Sequence, residues 1–553
     1  MSFYRSMRLR PIQAFYAASG STLGAFFVCC AIAIQASGEE FVNYGFAGML
    51  GGGSEDLLAA DIAVDGTGFI YITGYFGGTA DFAPGSGTYL LESHGSHDVF
   101  VAKFTANGAL VWAVNVGGSE LDHGNAIAVD ASGVYVTGNF EGTADFNPGG
   151  GAANVTSNGD SDIFLLKLDG DGGYLWRKTI GGAGYDAGIN VKQDPSGSLY
   201  LTGVYSGDVD FDPGPAQVLV AGYGDTDIFV LKLDPTGAFG WARGMGSSQY
   251  DYGRGLALDS FGNVYTTGTY QYTADFDPGA GSYELSSLDN SWDIFVSKLD
   301  QDGDFVWAKA VGGHNSDWGR ALAVDASGTV FVAGSFRGVV DFDPDFPSVF
   351  VEGVDSDNGY VWRLDSDGTY LGVTAFGQPD GAMIASDLAL KPNGKVCVCG
   401  EYYGTLDFNF GSDPRQSTSA GEGDIVITLL EPDGTHIWTR AVGGSDYDGC
   451  NSMALDADGH IYTTGRFRGT VDFHPGSSST VSLTSEPNYS GFFLKLSSFE
   501  SFSLPSAASW ALIFLGLLFI GASTYVLRHR LSAPTVPISG VGVRHIRSRT
   551  NKE

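Results

Sequence analysis

Basic residues are scarce in this 553-residue chain, in which 29 lysines and arginines stand against 63 aspartates and glutamates. The formal net charge is -34 at pH 7. The excess of acid is greatest in the middle of the chain, because Arg5, Arg8 and Arg10 lie near one end and a further group of bases follows residue 500. Such a surface repels phosphate backbones, so the sequence argues against nucleic acid as a partner.

Cysteine is also rare. Two of the five cysteines, Cys29 and Cys30, lie in an apolar amino-terminal segment, which leaves Cys397, Cys399 and Cys450. An odd and sparse set does not make a disulfide framework. We expect these three to be small, buried hydrophobic side chains.

Heptads, long amphipathic helical stripes and the common catalytic signatures are absent as well. The chain has no Gly-x-Ser-x-Gly turn, no His-Glu-x-x-His pair and no Gly-x-x-x-x-Gly-Lys loop. His94 and His97 are close enough in sequence to meet a metal, but a solvated loop pair is the simpler interpretation. The sequence therefore predicts no catalytic residue and no cofactor.

What the chain does contain is a unit used seven times. Consecutive copies of an Asp-Phe anchor are 64, 65, 65, 66, 66 and 65 residues apart, and a glycine that ends a Tyr-x-Thr-Gly type motif keeps the same steps. Two anchors in register indicate one structural unit repeated. The Asp-Phe anchors begin at Asp81, Asp145, Asp210, Asp275, Asp341, Asp407 and Asp472, and the glycines are Gly74, Gly138, Gly203, Gly268, Gly334, Gly400 and Gly465.

Each unit reads as four short strands. In the second unit, the apolar runs 126–130, 134–138, 162–168 and 174–180 are separated by turn residues such as Pro-Gly and Asp-Gly. Four antiparallel strands per unit are typical of a propeller blade. The sequence thus predicts an all-β fold, a seven-bladed β-propeller over residues 39–499.

The last unit lacks a fourth strand, and residues 41–50 have the pattern of one. We therefore expect residues 41–50 to pair with 491–496 and close the ring, which removes exposed strand edges. Rows of Phe and Trp should pack between blades. The fifth unit is the least regular copy, with Asn358, Gly372 and Gln378 at positions that other units fill with Asp, Trp and Gly.

Three motifs recur in order across residues 41–497: Val-Asp-x-x-Gly-x-Val-Tyr-Val-Thr-Gly, Asp-x-Phe-Val-x-Lys-Leu and Trp-Ala-x-x-x-Gly-Gly. In these motifs the chain resembles the bacterial β-propeller repeats called SBBP repeats. The resemblance implies a secreted or surface propeller and assigns no catalytic residue.

The two ends predict passage through a membrane. Arg5, Arg8 and Arg10 precede an apolar run, so residues 1–38 read as a signal peptide or an amino-terminal anchor helix. After a linker at 500–507, residues 508–527 read as a transmembrane helix, and the basic tail 528–553 should stay cytoplasmic. The repeats would then be extracytoplasmic or at the cell surface.

The segment around Pro505 and Trp510, followed by this span and a basic cluster, resembles the bacterial carboxy-terminal sorting tails named for their Ile-Pro-Thr-Leu motif. The resemblance implies a sorting protease that acts near Pro505. A membrane tether through the carboxy-terminal helix is expected with or without cleavage.

Aspartates recur in register in most units, which favours a structural role in capping turns. Calcium binding stays open at three turns with acids at alternate positions before a glycine. We also keep open a hydrolase or lyase in which Asp122 and Asp251 converge at the central channel. The calcium candidates are Asp169, Asp171, Asp300, Asp302, Asp365 and Asp367.

The segment between the Asp-Phe anchor and the third strand varies most between units and is long enough for an extra strand or hairpin. Loops on a rigid scaffold commonly carry binding, so we place recognition of a protein or glycan there. The sequence therefore predicts a membrane-tethered or surface-sorted binding scaffold without catalysis. A secreted hydrolase or lyase and a calcium-stabilised adhesin are the alternatives.

Overall fold

The computed structural model describes residues 41–499, except 52, 54, 86, 344, 346, 378–379, 409–415 and 475–479. The predicted signal segment 1–38, the linker 500–507, the span 508–527 and the tail 528–553 therefore lie outside the described residues. Within the described part, no helix is long and apolar enough to cross a membrane. The helical structure described there is a single 3-10 turn, Leu288–Asn290.

Seven antiparallel sheets, each with four main strands, form the predicted seven-bladed propeller. From the inner to the outer strand, the first three blades are β2 (Leu57–Val64), β3 (Ile70–Asp81), β4 (Leu90–Phe104), β5 (Leu110–Gly118); β6 (Asp122–Asp130), β7 (Gly133–Phe140), β10 (Asp162–Leu168), β11 (Tyr174–Ile180); and β12 (Ala187–Gln193), β13 (Leu199–Tyr205), β16 (Asp227–Leu233), β17 (Phe239–Met245).

The next three blades repeat this arrangement. They are β18 (Tyr252–Leu258), β19 (Val264–Tyr270), β22 (Asp293–Leu299), β23 (Phe305–Val311); β24 (Trp318–Val324), β25 (Val330–Phe336), β28 (Asn358–Leu364), β29 (Tyr370–Phe376); and β30 (Gly381–Leu390), β31 (Val396–Asp407), β33 (Asp424–Leu430), β34 (His436–Val442).

The seventh blade joins the two ends of the described chain. It consists of β35 (Gly449–Leu455), β36 (Ile461–Asp472), β37 (Ser482–Phe499) and β1 (Phe41–Leu50), and β1 is the outer strand. The pairing of β1 with β37 is antiparallel, with Leu50 opposite Gly491 and Tyr44 opposite Leu496. The amino-terminal strand thus supplies the edge that the last repeat lacks, and β2 packs directly on β35 and β36.

A small extra hairpin stands outside the main sheet of every blade, in the variable segment. In the first and seventh blades it is the far end of two long strands, as where Thr79 pairs with Glu92. In the sixth blade β32 (Gln416–Thr418) pairs with β31. The other hairpins are β8 (Thr143–Asp145) with β9 (Asn154–Thr156), β14 (Val209–Asp210) with β15 (Leu219–Val220), β20 (Thr273–Asp275) with β21 (Glu284–Ser286), and β26 (Val339–Asp341) with β27 (Phe350–Glu352).

Apolar clusters between neighbouring blades make the core. One such cluster combines Val99 and Trp112 of the first blade with Ile127, Phe146 and Phe164 of the second. The expected aromatic rows therefore do lie at the seams between blades. Cys397, Cys399 and Cys450 are buried side chains in another of these clusters, as predicted.

The seams also explain the recurring Gly-Gly pair. At Gly312 a Cβ would overlap the carboxylate of Asp293, which heads the third strand of the same blade, and at Gly117 it would lie 2.7 Å from both Asp98 and Asp122. Only glycine leaves room for the carboxylates at this position. The motif is therefore a packing feature of the seam.

Candidate binding site at the channel and its rim

Each inner strand carries a β-bulge at the same position. The bulge faces the glycine of the Tyr-x-Thr-Gly type motif, where a Cβ would overlap an inner-strand carbonyl, as at Gly268 against Tyr252. We call the bulged residues and their successors the bulge ring. It consists of Ala60-Asp61, Asn125-Ala126, Ile189-Asn190, Arg254-Gly255, Arg320-Ala321, Ser386-Asp387 and Asn451-Ser452.

The seven inner strands surround a central channel with a cavity of about 840 Å³, and the bulge ring forms part of its wall. Aliphatic side chains of the same strands, such as Val64 and Leu258, line other parts of it. Small ligands commonly bind in concave sites with a few converging polar groups on an apolar wall. The channel is concave and combines aliphatic side chains with converging polar groups, and the polar surface predominates.

Polar side chains of the bulge ring tie neighbouring inner strands together. Asn125 Nδ2 donates to the carbonyl of Gly188 at 2.9 Å, and Asn190 Nδ2 donates to the carbonyl of Arg254 at 3.2 Å. Asn451 Nδ2 donates to Ala59 at 2.9 Å, across the seam where the ring closes. These bonds are structural, because each satisfies a backbone carbonyl of the next blade.

Two acids of the bulge ring also bond to the next blade. Asp61 accepts from the amide of Ile127 at 2.8 Å, and Asp387 accepts from the amide of Met453 at 2.8 Å. Ser452 Oγ lies between them and donates to Asp61 at 2.6 Å or Asp387 at 2.9 Å. Burial raises the pKa of Asp387 to about 6, although the Met453 amide favours its charged form.

The fourth and fifth blades place arginines in the same ring. Arg254 and Arg320 occupy the bulge, and their successors, Gly255 and Ala321, have no polar side chain. In the described chain the buried Nε of each arginine lacks a hydrogen-bond partner. Burial and the neighbouring charge of Arg320 lower the pKa of Arg254 to about 10. The ring is thus polarised, with bases on two adjacent blades and acids on the sixth and first.

One end of the channel is surrounded by aromatic and basic side chains, which we call the rim. The rim lies where inner strands begin, second strands end and third strands begin. Beside the arginines, Tyr252 lies under Arg254, with 5.5 Å between the ring centroid and the guanidinium carbon. Trp292 is 5.5 Å from Tyr252 and 6.5 Å from Tyr250 between ring centroids. Tyr250 is 44% exposed, so this cluster is open to a ligand.

The first two blades contribute a stack of three rings to the rim. The ring centroids of Tyr75 and His123 are 4.1 Å apart, and His97 lies 5.1 Å from Tyr75. Burial and the neighbouring His97 lower the pKa of His123 to about 4. This histidine is therefore neutral at physiological pH.

In the seventh blade, Arg466 lies between two tyrosines. Its guanidinium carbon is 4.9 Å from the ring centroid of Tyr447 and 5.1 Å from that of Tyr489. Tyr403 donates to Glu401 at 3.1 Å, and Tyr447 also hydrogen bonds to Glu401. The rim is thus built from different side chains in the blades that contribute to it.

The predicted convergence of Asp122 and Asp251 at the channel is wrong. Both side chains are fully buried, and neither belongs to the channel wall. Asp122 accepts from the amide of Gly118 at 2.6 Å, and Asp251 from Ser247 and Gln271 at 2.5 and 3.0 Å. They join the end of one blade to the start of the next, which is the structural role favoured by their repetition.

Three of the six calcium candidates, Asp169, Asp300 and Asp365, act as turn caps. One oxygen of Asp169 accepts from the amides of Asp171 and Gly173, and Asp300 and Asp365 do the same in their turns. In the described chain, the one set of three metal-capable side chains with ligand atoms within 4.8 Å is Asp456, Asp458 and His460.

His94 and His97 do not face a common point. Nδ1 of His94 lies 2.5 Å from an oxygen of Asp98, whereas His97 stacks in the rim. The structure therefore gives the two histidines separate roles.

The hairpins on which the sequence placed recognition carry isolated apolar side chains. Leu219 is 57% exposed and Phe350 is 69% exposed, on hairpins of different blades. Isolated exposed apolar side chains are common on protein surfaces. The hairpins therefore bring fewer apolar and aromatic side chains together than the rim does.

A model of the SBBP β-propeller repeat matches residues 240–269. The chain is a propeller repeat protein. An uncharacterized WD repeat-containing protein of Acanthamoeba polyphaga mimivirus is 22% identical over 466 residues, which cover 69% of this chain and 33% of that protein. Regulatory protein FlaEY of Caulobacter vibrioides is 28% identical over 172 residues, covering 30% and 16%. The chain thus spans a third or less of these curated relatives.

Similar solved structures include other propellers. The WD40 β-propeller domain of Doa1 has a TM-score of 0.40 and 8% identity, over 82% of this chain and 97% of that one. A europium-containing methanol dehydrogenase has a TM-score of 0.37 and 10% identity, over 82% and 93%. Scores this low support no functional comparison, and the propeller assignment rests on the seven sheets.

Sequence reasoning missed the rim and the arginines of the bulge ring. Asn125, Ile189, Arg254 and Arg320 are equivalent positions of the repeat and differ in chemistry, although the glycines just before them recur. A search for positions that vary between units but are flanked by repeated residues would have found these bulge positions. Variation inside a repeat marks positions that the scaffold does not require.

Proposed function

We propose that this protein is a membrane-tethered or surface-sorted extracytoplasmic propeller that acts as a binding scaffold without catalysis. The observation that carries the proposal is the rim, where tyrosine, tryptophan, histidine and arginine side chains from several blades surround the mouth of a polar channel. Tyr, Trp and Arg are the residues that contribute most to binding energy at interfaces. The partner is a protein or glycan.

The tether is proposed from the sequence. An uncharged stretch begins at Phe502 and ends at Leu527, directly before Arg528. This length spans a bilayer, and the basic flank favours a cytoplasmic tail. Cleavage near Pro505 by a sorting protease would transfer the propeller to the surface. Labelling of introduced cysteines in intact cells and detection of the released tail would test these two steps.

The rim and the hairpins are the two candidate binding surfaces, and a pair of variants distinguishes between them. In the rim variant, Tyr252 and Trp292 are changed to alanine; in the hairpin variant, Leu219 and Phe350 are changed to serine. Full-length protein and both variants are screened against glycan arrays and envelope proteins. We expect the rim variant to lose binding at least tenfold while the hairpin variant keeps it. The reverse result would return recognition to the hairpins, and the absence of any partner would contradict the scaffold proposal.

A further inference from the structure

In the fourth and fifth blades, which carry Arg254 and Arg320, no side chain of the bulge ring makes a structural bond to the next blade in the described chain. Five seams have such a bond, through Asp61, Asn125, Asn190, Asp387 and Asn451. Within the described inner strands, the seams from the fourth to the fifth blade and from the fifth to the sixth have no equivalent. The series of hydrogen bonds between neighbouring inner strands is therefore interrupted at the two blades that carry the arginines.

Other arginines of the propeller donate to nearby acceptors, including Arg363, whose Nε is also unpartnered in the described chain but whose Nη1 donates to the carbonyl of Pro432 at 3.2 Å. Arg243 donates from Nε to the carbonyl of Gly303 at 2.7 Å, and Arg337 pairs with Asp357 at 2.9 Å. By contrast, Nε of Arg254 and of Arg320 is buried without an acceptor in the described chain. A buried N–H donor without an acceptor is unfavourable, and an anion bound to the guanidinium group would supply the acceptor.

The surroundings limit the size and chemistry of this anion. Arg254 and Arg320 line a cavity of about 840 Å³, which suits a small molecule. The strong negative charge of the chain disfavours polyanions, so a ligand with one acidic group is preferred. Tyr252 and Trp292 stand beside Arg254 and offer ring faces on which a sugar can pack.

We propose that Arg254 and Arg320 form an oxyanion site for a small acidic sugar that enters the channel through the rim. The two guanidinium groups bind its carboxylate or phosphate, since their planar forks match both oxyanions. The aromatic side chains at the rim contact the sugar ring. This inference rests on the proposed binding function and names the ligand class of the channel.

The test measures calorimetric binding of glucuronate, glucose 6-phosphate and neutral glucose to the full-length protein. The variants are Arg254→Gln, Arg320→Gln and the double change. The control is Arg440→Gln, which removes the same charge from an exposed position on an outer strand. We expect at least one acid to bind wild type and control at least tenfold more tightly than glucose does, at least tenfold loss in each single variant, and no binding in the double variant. Tight glucuronate binding alone assigns a carboxylate ligand, and tight glucose 6-phosphate binding alone assigns a phosphate.

Thermal unfolding of the same proteins separates binding loss from misfolding. Because neither Nε has an acceptor, the variants should melt no lower than the control, and the bound acid should raise the melting temperature of wild type only. Failure of both acids to bind wild type, unchanged binding in the double variant, or a lower melting temperature of the variants would overturn the site. If a protein or glycan still binds the rim, the scaffold proposal stands and this inference alone fails.

Discussion

Buried aspartates at the seams should make the propeller less stable as the pH rises. Asp251 is fully buried and accepts two backbone amides, and Asp227 lies close to it across the same seam. Burial raises the pKa of Asp251 to about 7 and that of Asp227 to about 6. The substitution Asp251→Asn therefore removes one group that titrates near neutrality.

The sign follows from the direction of the shift. The folded protein holds a proton on Asp251 to higher pH than the unfolded chain does, since its ordinary value is 3.8. The resulting stability is complete below about pH 4 and is lost as the pH rises through about 7. One proton corresponds to at most about 1.4 kcal/mol per pH unit in the free energy of unfolding.

Urea unfolding at pH 5, 6, 7 and 8 measures this dependence. At pH 5, Asp251→Asn should be less stable than wild type by about 1–3 kcal/mol, because the amide cannot accept from both donors equally well. The difference should shrink toward pH 8, because wild type loses the stability that protonated Asp251 contributes and the variant has no such group to lose. Asp302→Asn, in an exposed turn, is the control and should follow wild type. If the free energies of unfolding of Asp251→Asn and wild type changed in parallel with pH, the assigned titration of Asp251 would be refuted.

Three further outcomes are expected. Gly268→Ala should lower the free energy of unfolding by about 3 kcal/mol, because its Cβ would overlap a carbonyl at the bulge, whereas Gly66→Ala, in open space, should not. Deletion of residues 41–50 should open the seventh blade and cause aggregation, seen by size-exclusion chromatography. Addition of calcium or of a chelator should leave the melting temperature unchanged, because Asp169, Asp300 and Asp365 already accept the amides of their own turns. A shift of several degrees would restore the calcium-stabilised adhesin.

The repeat made the fold predictable. Equal spacing of Gly138 and Asp145 with their copies implied seven equal sheets, and the missing strand after Leu496 implied its replacement by residues 41–50. Local turn chemistry supplied the strand boundaries, because Asp and Gly are required once per blade. The extra hairpins followed from the length of the variable segment.

The candidate site was less accessible to sequence reasoning. Arg254 and Arg320 are 66 residues apart and belong to no motif of the repeat, so only the closed ring shows that they face one channel. Likewise, Asp251 looks available for chemistry in the sequence and is fully buried in the structure. Exposure and the direction of a side chain depend on how blades meet, which the repeat pattern does not encode.

Hydrogen exchange of the full-length protein with and without its bound partner tests the central claim most directly. Binding at the rim predicts slower exchange at the starts of the inner strands, around residues 252–256 and 318–322, and unchanged exchange in the hairpin 209–220. Protection confined to the outer hairpins, with the inner strands unaffected, would contradict the assignment of the rim as the binding surface.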